Sequence, residues 1–220
     1  MHDIHVHVAP GWQGSGRSGR TGAVITLRPG IEPVTGGWRT LGPDCPAREI
    51  DLFLASLAAG LDIEPPGGRG QVVDTLLSQE LLLISGGLRV QDTATGASVT
   101  PGCCAGLEDW REWMSVLDGG QPWLGHDPGP EVEVRGALIR VWQHGGPPRS
   151  GPVVEFARAD LPGLLTRVHA DLVGFLARLD AWTRIAGLGA RGTALVAAID
   201  RDFQISAPLT LPEEGRLGPT

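Results

Sequence analysis

Between Leu161 and Ile185 the chain reads as helix almost without a miss. Apolar residues stand at Leu161, Leu164, Leu165, Val168, Leu172, Phe175, Leu176, Leu179, Trp182 and Ile185, the three-and-four spacing of a helix that buries one face. Asp160 precedes the stripe as a predicted N-cap, and Pro162 falls in the first turn, where its missing N–H does no harm. A chain of 220 residues can bury roughly 70% of its unfolded surface, so a core large enough to receive this stripe is possible.

Glycine and proline punctuate the remainder, 33 and 18 residues respectively. From Met1 to Pro46 they recur every few positions, interrupted by two strand-like runs, Ile4–Val8 and Ala23–Leu27. The reading divides the chain into a loosely structured Gly/Pro-rich segment, 1–48, a single α+β domain, 49–205, and a flexible tail, 206–220. Within the domain, helices are predicted over Ile50–Leu61 and Val72–Ile84 and a last one over Thr193–Phe203. Leu88–Asp92 and Ala97–Val99 flank Gly96 as a hairpin, and Glu131–Arg135 and Leu138–Gln143 flank Gly136 as another; Val153–Ala157 is a further strand. Leu107–Leu117 reads as an amphipathic helix with Leu107, Trp110, Met114 and Leu117 on one face, closed by Gly119 and Gly120. Strands in hairpins with interspersed helices predict an α+β fold: an antiparallel sheet with one long amphipathic helix and shorter ones.

The composition narrows the chemistry. The chain has no Lys, Tyr or Asn, which excludes phosphate-loop nucleotidases, protein kinases, Schiff-base enzymes and thiol proteases with an Asn-oriented imidazole. All three are encoded by AT-rich codons, so their joint absence points to a high-GC bacterial genome. A net charge of −7, with 18 Arg scattered singly, lacks the concentrated positive footprint that a nucleic-acid partner demands. The first residues carry no signal-peptide pattern, and no apolar run approaches the roughly 20 residues of a membrane span. A cytoplasmic protein without a cofactor is expected. Three cysteines, Cys45, Cys103 and Cys104, make no disulfide framework and fit a reducing compartment.

Several short patterns carry possible chemistry. His5-Val6-His7 resembles the metal-binding opening of the amidohydrolase barrels, which implies a divalent metal. That fold needs eight parallel strands and later His ligands, whereas the next His is His126; simple strand alternation instead turns His5 and His7 to solvent. Gly14, Gly16 and Gly19 formally match a dinucleotide fingerprint, but a strand-like run follows where a helix is required, and the stretch is read as a loop. Cys103 and Cys104 precede the Leu107 helix and admit three readings: small packed residues, a thiol activated by the helix N-terminus with His126 or His144 as base, or part of an incomplete zinc site. Among the seven tryptophans, Trp110 and Trp142 read as core. Trp113, off the middle of the apolar face, and Trp123, in the Gln121–Pro130 loop, are interface candidates. Glu108, Asp109 and Glu112 read as a solvated helix start, with Glu108 and Arg111 at pairing distance, and His169 as a boundary residue.

The Pro101-Gly-Cys-Cys-Ala-Gly-Leu-Glu-Asp-Trp-Arg-Glu-Trp113 stretch and the Pro122-Trp-Leu-Gly-His-Asp-Pro128 loop resemble a group of uncharacterised proteins from high-GC bacteria. More distantly they resemble small α+β immunity-type proteins that bind a partner toxin. The resemblance covers under a third of the chain and carries over no functional residue. Together these readings lead to a non-enzymatic protein-interaction module binding through Trp113, Trp123, His126 and Asp127. The alternative is a thiol- or metal-dependent enzyme using Cys103 or Cys104 with His126 or His144. The sequence does not specify an oligomeric state.

Overall fold

The stripe from Leu161 forms the longest helix of a computed structural model that describes residues 24–33, 35–61 and 68–211. The expected strand at Ile4–Val8, the His5 and His7 pair and the Gly14, Gly16, Gly19 loop lie outside the described residues.

In chain order the elements are β1 (Ile25–Ile31), β2 (Arg39–Thr40), α1 (Ala47–Gly60), α2 (Arg69–Leu77), β3 (Gly86–Asp92), β4 (Ser98–Val99), a 3-10 helix (Leu107–Asp118), β5 (Glu131–Arg135), β6 (Leu138–His144), β7 (Ser150–Ala157), α3 (Leu161–Ile185) and α4 (Ala190–Phe203). All strand pairing is antiparallel, in a four-stranded sheet of order β2-β1-β3-β4 and a three-stranded sheet of order β5-β6-β7. The fold is α+β with one long helix, as the patterning predicts. Two sheets replace the one expected, and β1 reaches its partner β3 across α1 and α2 rather than through a hairpin. Residues 25–48, expected to belong to the loose segment, supply β1, β2 and the start of α1. Their order comes from partners far along the chain: β1 pairs with β3 along its whole length, and Arg28 meets Asp171 of α3 at 2.9 Å.

Close backbone approach is built in with glycine. A Cβ on Gly86 would lie 2.4 Å from the Gly30 carbonyl oxygen, and one on Gly30 would lie 2.4 Å from that of Arg39 and 2.6 Å from the Trp38 ring. On α3, a Cβ on Gly174 would lie 2.8 Å from Pro43, so the glycine lets the loop between β2 and α1 seat against the long helix.

The apolar stripe of α3 is buried from Leu161 to Trp182, with Leu176 packed at its margin. Ile185, counted in the stripe, is 88% exposed at the last turn. Asp160 does not cap α3 with its side chain, because a short 3-10 turn (Arg158–Asp160) runs directly into the helix and leaves Asp160 in helical conformation. The core also takes Phe53 of α1, whose ring meets Phe175 edge-on at 4.9 Å and Phe203 at 6.3 Å.

Two elements differ from expectation for a physical reason. The predicted Val72–Ile84 helix stops at Leu77. Beyond it a short turn leads into residues 81–84, where Leu81 and Leu83 are exposed while Leu82 and Ile84 are buried, the alternation of a strand rather than a helix. Carboxylates from distant elements hold this run: the Leu82 N–H donates to Asp202 at 3.0 Å and the Ile84 N–H to Glu108 at 3.4 Å.

The Leu107 segment is a 3-10 helix of 12 residues, and in that geometry side chains three apart eclipse each other. Leu107, Trp110, Trp113 and Val116 therefore form one column and are all buried. At the α-helical period of 3.6, Trp113 would leave that face, which is why it reads as an interface candidate; at 2% exposure it is core. Trp110 is core as expected, and Trp142 is half-buried beneath the Arg149 guanidinium, 5.9 Å from its ring.

Trp113→Ala should accordingly cost about 3–5 kcal/mol. Trp123→Ala, at an exposed position, should cost about 1 kcal/mol or less. Urea unfolding of the two variants checks this, and equal losses would contradict the placement of Trp113.

Candidate functional site

The two Gly/Pro-rich loops that flank the 3-10 helix fold onto each other. Gly102 N–H donates to the Leu124 carbonyl at 2.8 Å, and His126 N–H donates to the Cys103 carbonyl at 3.1 Å. Leu124, buried at 6% exposure, anchors the second loop in the core. The apposition depends on Gly125. Its φ of +109° lies where L residues are strained, and a Cβ there would meet the Cys103 carbonyl oxygen at 2.7 Å. The Asp127–Pro128 peptide is cis.

This pairing brings Cys103, Cys104, Trp123 and His126, all exposed, against one another, with exposed Asp127 next in the chain. Trp123 is 42% exposed yet held at three points. Its backbone N–H donates to Glu112 Oε2 at 2.6 Å, its indole Nε1–H donates to the Cys104 carbonyl at 3.2 Å, and its ring meets the His126 imidazole edge-on at 5.0 Å. Glu112 was expected on a solvated helix start and is instead the contact that ties the loop to the 3-10 helix.

The expected Glu108–Arg111 pair does not form either. Arg111 turns to the segment following α4, donating to the carbonyls of Gln204 at 2.7 Å and Pro208 at 3.2 Å and to that of Ala207. Glu108 is half-buried beneath the Ile84 N–H. Burial pushes its carboxyl above the ordinary 4.5, outweighing hydrogen bonds from its own N–H and from Ile84, and Asp109 adds to the rise. Asp109 is raised by burial and then by Glu112.

Cys103 and Cys104 are exposed rather than packed, so the small-core-residue reading is set aside. Their sulfurs lie 3.2 Å apart. Cys104 has a φ of +65°, a left-handed conformation that costs a residue with a Cβ roughly 1–2 kcal/mol. Its thiol is raised above the ordinary 9.0 by hydrogen bonding to Cys103 and by charge repulsion from it. Activation by an imidazole would act in the opposite direction. Among the described residues no imidazole hydrogen-bonds to either sulfur: the His126 ring rests on Trp123, and His144 lies at the end of β6 against Gly151, 3.0 Å from where a Cβ would stand. No group of three or more His, Cys, Asp or Glu among the described residues is placed to hold a metal. At Zn–S bonds of about 2.3 Å, sulfurs this close would subtend about 90°, narrower than a tetrahedral site requires.

Elsewhere, Cys45 is buried, and burial with Glu49 nearby pushes its thiol up to about 11 against a weaker lowering by Arg178. An apolar cleft of about 240 Å³ lies between α1, α2 and Trp182, lined also by Asp51 and Arg69; larger hollows of about 540 Å³ beside Arg28 and Asp171 and about 690 Å³ beside Trp142 and Arg149 contain none of the candidate residues. The exposed two-loop face is the candidate site. No protein family, curated protein or solved structure matches this chain. No helix among the described residues is long and apolar enough to cross a membrane.

Two outcomes follow from this geometry. Gly125→Ala should part the loops while the core stays intact, seen as a red shift and easier acrylamide quenching of Trp123 emission with unchanged far-ultraviolet circular dichroism; wild-type quenching would refute the apposition. The second concerns pH. The folded Glu108 carboxyl keeps its proton to higher pH than the unfolded one, so its contribution to stability is full below the ordinary 4.5 and is lost as pH rises through the raised folded value. Glu108→Gln should flatten this part of the stability curve above the ordinary carboxyl value of 4.5. A wild-type-to-variant difference in urea midpoint that stays constant with pH would count against it.

Proposed function

We propose that this chain is a protein-interaction module, of the immunity-like kind implied by its sequence resemblance, working in the cytoplasm of a high-GC bacterium. Its contact face is the ridge of Trp123, His126 and Asp127, bordered by Cys103 and Cys104. The observation that carries this reading is a large exposed tryptophan held through its backbone N–H, its indole N–H and its ring edge before any partner arrives.

A rigid exposed Trp offers wide amphipathic contact area with little rotamer entropy left to lose on binding. Tryptophan is also enriched among residues whose truncation costs 2 kcal/mol or more, roughly 30-fold in affinity. His126 and Asp127 supply donor and acceptor groups at the rim, as interfaces around a buried aromatic anchor commonly do. The net charge of −7 favours a partner with a basic face, drawn in electrostatically. Trp113, buried in the column of the 3-10 helix, is not part of the contact face. The thiol-enzyme reading would need an imidazole on a sulfur, and the His126 ring is engaged with Trp123.

Trp123→Ala tests the proposal with little disturbance of the core. Affinity isolation of the tagged chain from its own cells should recover one protein in stoichiometric amount with the wild type, and at least tenfold less with the variant. Undiminished recovery with a folded Trp123→Ala protein would exclude this face as the binding surface.

A further inference from the structure

The cysteine pair is left over from the binding reading, and its geometry is unusual in three respects. Both thiols are exposed, so packing does not account for them. Cys104 holds a left-handed backbone, φ +65°, that brings adjacent side chains to a sulfur separation of 3.2 Å. The carbonyls of both residues are also pinned from the neighbouring loop, that of Cys103 by the His126 N–H at 3.1 Å and that of Cys104 by the Trp123 indole at 3.2 Å.

We propose that Cys103 and Cys104 form a reversible two-electron redox pair, closing to a disulfide between adjacent residues by exchange with a low-molecular-weight disulfide, and that closure alters the hydrogen bond holding Trp123. The inference stands on the sulfur geometry and does not require a protein partner.

The exchange takes two displacements. The Cys103 thiolate attacks one sulfur of the small disulfide; a new S–S bond joins Cys103 to that half, the old S–S bond breaks, and the released thiolate takes a proton from solvent. Cys104 then loses its proton to solvent and attacks the Cys103 sulfur. The ring disulfide forms, and the second small thiolate leaves and is protonated. Two electrons pass from the protein to the small disulfide, the protein loses two hydrogens, and two small thiols are produced. The first attacker is assigned to Cys103 because the Cys104 thiol is raised above its ordinary value by its hydrogen bond with Cys103.

Closure brings the sulfurs from 3.2 Å to about 2.05 Å. Adjacent residues joined by a trans peptide hold their Cα atoms roughly 3.8 Å apart, against the roughly 4.4–6.8 Å of ordinary disulfides. The ring is therefore strained and readily reduced, which suits a transient cytosolic disulfide better than a structural one. Any shift of Cys104 reaches Trp123 directly, because the Cys104 carbonyl is the acceptor for its indole.

The test uses the full reduced chain incubated with glutathione disulfide, then alkylated, peptide-mapped and followed by tryptophan emission. The expected result is loss of both alkylation sites on the peptide holding Cys103 and Cys104, a mass lower by two hydrogens with no glutathione attached, and reversal by reduced glutathione. The emission should change in parallel in the wild type and stay constant in Trp123→Phe. Cys104→Ser should halt at a stable glutathione adduct on Cys103, the trapped first step. The proposal is overturned if the wild type accumulates lasting glutathione adducts, if both thiols remain alkylatable, or if the disulfide closes without any change in emission.

Discussion

Trp110 holds the molecule's parts in register. Its indole is 1% exposed, its N–H donates to the Phe203 carbonyl at 2.9 Å, and its ring stacks on His169 of α3 at 6.0 Å. Arg111 lies over the same ring at 4.6 Å while gripping the carbonyls beyond α4, and His169 donates to the Ile205 carbonyl at 2.8 Å. One buried aromatic and its two polar neighbours thus join the 3-10 helix to α3 and to the end of α4. A buried indole N–H without an acceptor would forfeit about 1–3 kcal/mol, so the position of the α4 terminus and the rotation of the 3-10 helix are decided together.

That rotation has consequences on both sides of the helix. Toward the core it stacks Leu107, Trp110, Trp113 and Val116 in a single column. Toward the surface it places Glu108 under the extended run at Ile84 and Glu112 under the Trp123 loop. The exposed face is therefore not a pair of free loops. Its two halves are bonded to each other through Gly102, Cys103, Leu124 and His126 and fastened to the core through Leu124 and Glu112. Left-handed backbone at Cys104 and Gly125 persists where such surroundings over-determine it, as commonly happens at sites that act.

Much of this architecture was legible wherever local chemistry decides structure. Gly96 and Gly136, both with positive φ, turn the two hairpins that their dipeptide contexts imply, and the α3 stripe is buried almost as its spacing demands. The central block gathering Cys103, Trp123, His126 and Asp127 was likewise visible as a concentration of unusual residues. The misread helices share one cause, the wrong period. Leu107, Trp110, Trp113 and Val116 recur at strict intervals of three, a signal for 3-10 geometry, but runs beyond three or four residues are uncommon and an α-helix is the ordinary reading. Leu81–Ile84 is too short for periodicity to separate strand from helix.

By itself, the sequence determined the long helix and the two hairpins, that strands pair antiparallel, and that any chemistry must come from an alphabet without Lys, Tyr or Asn. These properties are set within a few residues by turn conformation, side-chain spacing and composition. Tertiary structure alone decided that β1 pairs with β3 across two helices, that Trp113 is core while Trp123 is surface, and that Cys103 and Cys104 lie beside Trp123 and His126. Each of those outcomes depends on contacts between residues far apart in the chain, where hydrogen-bond satisfaction and close packing select one arrangement from many that local preference allows equally.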